Sequence, residues 1–160
     1  METVPAGERH VEDIVRLWEQ LAGFHEELDP FYATCDGAGS DFEIHLRRAI
    51  DAEDFLVLVC ENEGAVVGYA LSSVELHPPE LECRRIGHVN DLVVDEAFRR
   101  RGAGRMLVAA TVAWFEERDI DRVELEVAET NGPGLAFWRA VGFADFQRIM
   151  VHRGEGRPRG

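Results

Sequence analysis

The sequence contains no lysine: all 17 of its basic residues are arginine. Catalysis through a lysine Schiff base is therefore excluded, because no ε-amino group can attack a carbonyl. Cysteine is also scarce, with three residues, Cys35, Cys60 and Cys83, and no C-x-x-C spacing. This odd number of cysteines indicates neither a disulfide framework nor a zinc cluster, and we expect a reducing, cytoplasmic setting.

Long apolar runs are missing as well. The longest, residues 55–60 and 106–115, are too short and too interrupted to cross a bilayer, and the N-terminus lacks a basic-then-apolar signal pattern. We therefore expect no membrane association. The segment 77–83 contains metal-ligating residue types, but their irregular spacing around two prolines favours a solvated loop. No metal is predicted.

The length and the charge limit the function further. A chain of 160 residues with 46% hydrophobic content suits one domain, which we place at residues 1–153, with a disordered tail at 154–160. A net charge of −14 argues against nucleic-acid binding. Residues 84–105 depart from this balance, since they carry six arginines and three acidic residues. This positive segment is the place where an anion is expected to bind.

Hydrophobic periodicity predicts the order of the elements. Three-to-four spacing indicates helices, and alternation or short apolar runs between turn signals indicate strands. Helices are expected at residues 9–27, after Ser40 (with Ser40 or Asp41 as N-cap and a loop at 28–39), at 106–117 and after the turn at 131–134, ending at Gly142. Strands are expected at 55–60, 65–74 (a hairpin with a turn at 61–64), 84–94, 123–127 and 143–152. This order predicts an α/β (α+β) fold with a mixed sheet and packed helices.

The chemistry is expected where the strand before residue 95 leads into the helix at 106–117. Gly102 and Gly104 lie in this connection, where a missing side chain lets the backbone approach an anion. The N–H groups that begin the helix have no intrahelical acceptor, and the helix dipole adds about half a positive charge there. A strand, a glycine loop and a helix start in this order are typical of a phosphate-binding site.

Two segments carry a family resemblance. Residues 90–104, N-D-L-V-V-D-E-A-F-R-R-R-G-A-G, resemble the acetyl-CoA motif of the GNAT superfamily of N-acetyltransferases, R/Q-x-x-G-x-G/A after a strand. Arg99, Gly102 and Gly104 match that motif position by position. Residues 131–143 are similar to the family block N-x-x-A-x-x-x-Y-x-x-x-G-F, with Gly134 in place of alanine and Trp138 in place of tyrosine.

The resemblance implies a fold, a cofactor and a reaction. The expected fold is a mostly antiparallel central sheet with splayed strands and flanking helices. Acetyl-CoA would donate its acetyl group directly to an amine without a covalent enzyme intermediate, and family members are often homodimers. The implied CoA-binding residues are the strand residues Leu92, Val93 and Val94, the loop residues Arg99, Arg100, Arg101, Gly102, Ala103, Gly104 and Arg105, and also Asn131 and Trp138.

Direct transfer needs a neutral amine. An alkylamine with a pKa near 10.4 requires about 4 to 5 kcal/mol to reach that form at pH 7, which a general base can offset. His88 is one candidate, because alternation puts His88, Asn90, Leu92 and Val94 on one strand face unless a bulge shifts the register, and some family members have a catalytic carboxylate at that position. Asp91 and Glu126 are the other candidates. Each of the three also has an ordinary structural or solvated interpretation.

The proton donor and the acceptor are less defined. The indole of Trp138 cannot release a proton near neutral pH, so Tyr69, Tyr32 or solvent water remains for the departing thiolate. An acidic N-terminal half favours a cationic acceptor, either a small amine or a protein or peptide amine. The alternative function is a non-catalytic acyl-CoA-binding sensor or regulatory module. A nicotinamide-dinucleotide domain is disfavoured, because the glycine loop follows three earlier strands.

Overall fold

The computed structural model describes residues 1–82 and 85–152 of the chain. In this part, five strands form one sheet, and three of the four α-helices pack on it. The elements in chain order are β1 (Glu2–Pro5), α1 (Val11–Leu28), α2 (Ala38–Asp51), β2 (Phe55–Asn62), β3 (Ala65–Leu76), β4 (Arg85–Val94), α3 (Ala103–Glu116), β5 (Val123–Glu124) and α4 (Gly132–Ala140).

The five strands lie in the sheet in chain order. Strands β1 to β4 pair antiparallel with their neighbours, and β5 pairs parallel to β4. A parallel neighbour needs a crossover connection, which α3 supplies. The predicted class, a mixed and mostly antiparallel sheet with flanking helices, is confirmed.

Helices cover both faces of the sheet. On one face, α1 and α2 form a core with β3 and β4, centred on Ile14, Leu46 and Tyr69. On the other face, Leu107 and Ala103 of α3 pack against inward-pointing residues of β2 and β3. This two-sided burial explains the unbroken apolar run of β2, because a strand covered on both faces needs no polar alternation.

The turns required two corrections. The hairpin turn contains only Glu63 and Gly64, with φ of 52° and 83°, so β2 continues to Asn62. Positive φ at both positions is the two-residue turn whose twist matches antiparallel strands. Helix α2 begins at Ala38 after Gly37 (φ 85°), so the expected N-cap at Ser40 or Asp41 was wrong. Part of the expected 28–39 loop is a short 3-10 turn, Pro30–Tyr32.

The two ends of the sheet were predicted least well. Strand β1 was missed, β5 is two residues long where five were expected, and residues 143–152 form no strand. These strands lie at sheet edges, where a neighbour on one side decides whether a segment is extended. Helix α3 begins at Ala103, three residues earlier than expected. Residues 153–160, which include the predicted tail, lie outside the described part of the chain.

Among the described residues, no helix has the length and apolar character needed to cross a membrane.

Candidate functional site

Strands β4 and β5 separate shortly after they meet. Their pairing is limited to two positions, Gly87 with Val123 and His88 with Glu124. Beyond His88, β4 continues to Val94 with no strand on that side in the described part of the chain. Six residues of extended chain give a free edge of about 20 Å, with backbone N–H and C=O groups open to a ligand.

The free edge ends at the arginine–glycine loop. Asp95 begins a 3-10 turn by accepting the Ala97 N–H at 3.0 Å. Arg100 and Gly102 then take positive φ values of 64° and 97°, and Gly102 is the N-cap of α3. The left-handed backbone at Gly102 favours glycine, and it turns the chain so that the first N–H groups of α3 open beside the end of β4.

The loop arginines carry uncompensated charge. Arg99 donates through Nε to the Val94 carbonyl at 3.2 Å, and Arg105 donates to the Ala140 carbonyl at 3.1 Å. The Arg101 guanidinium lies over the Phe98 ring, 5.3 Å from its centroid. Neither these three arginines nor Arg100 forms an ion pair with any residue in the described ranges. Four cations beside a helix N-terminus fit a pyrophosphate or another polyanion.

Gly104 has a packing reason for lacking a side chain. A Cβ at this position would lie 3.2 Å from the Phe137 ring of α4 and 3.7 Å from Val94 Cγ2. Ala103, the first residue of α3, is buried against the sheet, so it offers a ligand only its backbone. Phe137 therefore sets how closely α4 approaches the loop, and sequence reasoning missed it because nothing marks it except its apolar character.

The second sequence block forms the start and the body of α4. Asn131 is the N-cap, with Oδ1 accepting the Gly134 N–H at 2.9 Å, and a Cβ on residue 134 would lie 2.5 Å from Asn131 Nδ2. Trp138 packs edge-on against Phe137 and Phe143, with ring centroids 5.2 Å apart in both pairs. Of the two adjacent rings, Phe137 is the one that lies against Gly104.

A bulge in β4 changes which residues share a face. Leu71 of β3 lies opposite Asp91 while the next β3 residue lies opposite Val89, so Asn90 is an extra residue. The predicted face of His88, Asn90, Leu92 and Val94 is therefore wrong beyond Asn90. Leu92 and Val94 pack with the α3 core, whereas Val93 packs with the core of α1 and α2.

His88 lies at the last β4–β5 pair and is partly exposed, with 24% of its side chain accessible. Its Nδ1 lies 2.9 Å from Glu75 Oε1. In the neutral tautomer that donates from Nδ1, the imidazole keeps Nε2 as a free acceptor. The carboxylate of Glu75 favours that tautomer, because it accepts the Nδ1–H.

Asp91 is half-buried rather than fully solvated. The buried Tyr69 hydroxyl donates to Asp91 Oδ2 at 3.1 Å. Burial raises the pKa of Asp91, and the hydrogen bond from Tyr69 and the charge of His45 only partly oppose it. Burial and the Asp91 carboxylate raise the pKa of Tyr69 well above its ordinary value, so Tyr69 is unsuited to donating a proton. Glu126 is exposed and lies beyond the end of β5.

The raised pKa of Asp91 gives a stability prediction. A carboxyl group whose pKa is higher in the folded state contributes stability below its unfolded pKa and loses it as pH rises through the folded pKa. Asp91→Asn cannot ionise, so we expect the difference in unfolding free energy, variant minus wild type, to increase from pH 4 to pH 7. Urea unfolding at several pH values measures this difference, and a constant or decreasing value would contradict the assignment.

The chain belongs to the Acetyltransferase (GNAT) family, whose model matches residues 17–143. That range contains the β4–β5 separation, the arginine–glycine loop and α4. In the described residues, no three histidine, cysteine, aspartate or glutamate side chains are grouped so that they could hold a metal ion.

Curated relatives include acetyltransferases from archaea and bacteria. The chain is 30% identical to an N-alpha-acetyltransferase of Sulfurisphaera tokodaii over 103 residues, covering 61% of this chain and 62% of that protein. It is 35% identical to a mycothiol acetyltransferase of Salinispora tropica over 95 residues, covering 59% of this chain and 30% of that protein. The chain thus spans less than two thirds of either relative.

Solved structures share the fold at low sequence identity. A variant of the BH1408 protein from Bacillus halodurans has a TM-score of 0.87 and 22% identity, covering 96% of this chain and 99% of that chain. An aminoglycoside 6'-N-acetyltransferase from Acinetobacter haemolyticus has a TM-score of 0.77 and 16% identity, covering 98% and 100%. Another aminoglycoside N-acetyltransferase, in complex with CoA, has a TM-score of 0.72 and 17% identity, covering 97% and 100%.

Proposed function

We propose that this protein is an N-acetyltransferase that moves an acetyl group from acetyl-CoA directly to a primary amine. The observation that carries the proposal is the free edge of β4, which ends at an open helix N-terminus. Four arginines surround that N-terminus, and none of them has an ion-pair partner among residues 1–82 and 85–152. An extended amide-containing arm attached to a pyrophosphate matches both halves of this surface.

The donor-binding residues divide by what they supply. The guanidinium groups of Arg99, Arg100, Arg101 and Arg105 provide positive charge, and the backbone of residues 102–104 provides N–H donors to the pyrophosphate. The backbone of Leu92, Val93 and Val94 provides edge hydrogen bonds to the amide-containing arm. Asn131 and Trp138 of α4 form the far wall. Acetyl-CoA supplies a thioester, whose thiolate is a good leaving group.

His88 is the preferred base. It lies where β4 and β5 separate, and its Glu75 contact leaves Nε2 able to accept a proton from the amine through water. As the amine nitrogen bonds to the acetyl carbon, the carbon–sulfur bond breaks and the amine proton passes to Nε2. A thiol pKa near 8.5 lets solvent water protonate the departing sulfur, so no acidic tyrosine is needed. Asp91 and Glu126 remain the alternative bases.

The acceptor is a cationic amine, either a small molecule or a peptide amine. Residues 1–83 carry 19 acidic residues against four arginines, and such an excess attracts cations. The relatives named for N-alpha and aminoglycoside acetyl transfer are in keeping with both classes. We place the protein in the cytoplasm, where Cys35 and the buried Cys60 would stay reduced. We expect no nucleic-acid or membrane partner. The family resemblance also implies a homodimer.

Turnover tests the proposal. The protein is incubated with acetyl-CoA and a panel of amines that includes polyamines, an aminoglycoside and short peptides, and the acetylated product is measured by mass spectrometry. Acetylation of at least one amine supports the enzyme. Tight acetyl-CoA binding with no product from any amine would overturn it in favour of the acyl-CoA-binding module.

Removing two loop charges should weaken donor binding. We expect the double variant Arg100→Gln/Arg101→Gln to raise the Kd for acetyl-CoA about tenfold, because two charge-assisted contacts to the pyrophosphate are lost in a solvent-exposed loop. Isothermal titration calorimetry measures the change. Arg48→Gln, at an exposed arginine on α2, is the control for the loss of a single surface charge outside the loop. The KM for acetyl-pantetheine, which lacks the pyrophosphate, should not change, and an equal loss for both donors would contradict the assignment.

A further inference from the structure

Two side chains of β3 hold the bulge in β4. Tyr69 and Ser73 lie four residues apart on the same face of β3, with the bulge between them across the strand pair. The Tyr69 hydroxyl donates to Asp91 Oδ2 at 3.1 Å, and Ser73 Oγ donates to Asn90 Oδ1 at 3.0 Å. Each bond runs diagonally between strands, within the reach of cross-strand neighbours. Together they fasten both residues of the bulge.

Both donors are shielded from water. Tyr69 is fully buried and Ser73 is 5% exposed. A hydrogen bond donated by a buried hydroxyl is stronger than one at the surface, although the acceptors are less enclosed, since Asp91 is half-buried and Asn90 is exposed. The two hydrogen bonds therefore keep the extra residue at one position in β4. Without them, the bulge could move along the strand.

The position of the bulge determines on which face of the sheet each later side chain of β4 lies. Val89, before the bulge, lies opposite the α3-facing Ser72, and Leu92, after it, packs with the α3 core again. Because side chains alternate along a strand, removal or displacement of one residue would exchange the faces of everything that follows. The bulge lies two residues after His88, where β5 leaves β4. It thus sets the register of the whole free edge.

We propose that Tyr69 and Ser73 are positioning residues. They fix the Asn90–Asp91 bulge and thereby orient the backbone groups of the free edge of β4 that bind the acyl donor. The inference rests on the proposed function for the identity of that donor. Neither side chain needs to contact the donor, since each bonds to a side chain of the bulge and acts on the donor only through β4. The residues that bind acetyl-CoA are therefore only part of the site, and β3 holds the rest of it in place.

The test compares hydroxyl deletions on β3. The variants are Tyr69→Phe, Ser73→Ala and the double variant. Ser73→Thr keeps a hydroxyl, so it should behave as wild type in the measurements that Ser73→Ala changes. Ser72→Ala is the matched control, since the Ser72 hydroxyl is also buried on β3 but has no hydrogen-bond partner in the part of the chain that the structure describes. The measurements are amide hydrogen exchange without ligand, the Kd for acetyl-CoA, and kcat and KM for the donor.

In the double variant, we expect the amides of residues 89–92 to exchange about five- to tenfold faster. We expect the Kd for acetyl-CoA to rise by about the same factor, which is the usual effect of losing a buried hydrogen bond. Exchange in β2 should stay as in wild type. Unchanged exchange and Kd would overturn the proposal, and so would equal acceleration in β2 and β4, which marks global destabilisation. If wild-type protein did not bind acetyl-CoA, the proposed function would fail, whereas the exchange data would still decide whether these bonds hold the bulge.

Discussion

Replacing His88 by glutamine is expected to lower kcat about 10²- to 10⁴-fold, the usual contribution of a general base. Glutamine keeps a polar side chain of similar reach but cannot accept a proton near neutral pH. The KM for acetyl-CoA should change little, because the arginine–glycine loop and the β4 edge that would bind the donor lie beyond this residue. Steady-state kinetics with the best amine from the panel measure both constants.

Two further variants make the result specific to the His88 contact. Glu75→Gln keeps a hydrogen-bond acceptor for Nδ1 but replaces a charge-assisted contact with a weaker neutral one that orients the ring less firmly, so we expect a smaller loss of kcat. His77→Gln, in the loop after β3, should leave kcat unchanged. A His88→Gln variant within twofold of wild type would exclude His88 as the base, and Asp91→Asn and Glu126→Gln would then identify which carboxylate serves.

The geometry of the arginine–glycine loop, the proposed donor site, was predictable because its signals are local. Gly102 needs a positive φ value, the arginines are consecutive in sequence, and the start of α3 follows directly. Each property belongs to one short segment, so periodicity and glycine placement were enough to locate it. The packing reason for Gly104 was not predictable, since the Phe137 ring that fills its side-chain space belongs to a later helix.

The arrangement of β4 was not predictable, because it depends on β3. Nothing in the residues 85–94 distinguishes Asn90 as an extra residue, and simple alternation assigns Leu92 to the face of His88. The bulge is fastened by partners 17 and 22 residues earlier in the chain, Ser73 and Tyr69. Long-range side-chain contacts of this kind override strand periodicity, and they also turned Asp91 into a half-buried carboxyl group.

The predictions of the edge strands were wrong for a related reason. β1 is four residues long and carries Pro5, so its sequence resembles a loop, yet it pairs with β2 from Glu2 to Pro5. Residues 143–152 have apolar residues suited to a strand, but Phe146 and Met150 stay exposed and the segment joins no strand. Pairing with a neighbour, rather than intrinsic propensity, decided both outcomes.

Phe115→Ala is expected to reduce the free energy of unfolding by about 3 to 5 kcal/mol, the cost of removing a fully buried phenylalanine ring. Phe115 lies on α3, and a Cβ built on Gly87 of β4 would be 2.7 Å from its ring. Gly87→Ala alone should therefore cost about 1 to 3 kcal/mol through overpacking. Urea unfolding measures both values.

The double variant shows whether the ring and the glycine are one contact. In Gly87→Ala/Phe115→Ala the new methyl group can enter the space the ring leaves, so the two losses should sum to more than the double variant shows, with a coupling of about 0.5 to 3 kcal/mol. Gly7→Ala is the control, because Gly7 is also extended and a Cβ there meets nothing within 4 Å. Strict additivity would mean that Gly87 is needed for its backbone, not for the ring. Because Gly87 directly precedes His88, a positive coupling also links the docking of α3 to the placement of the proposed base.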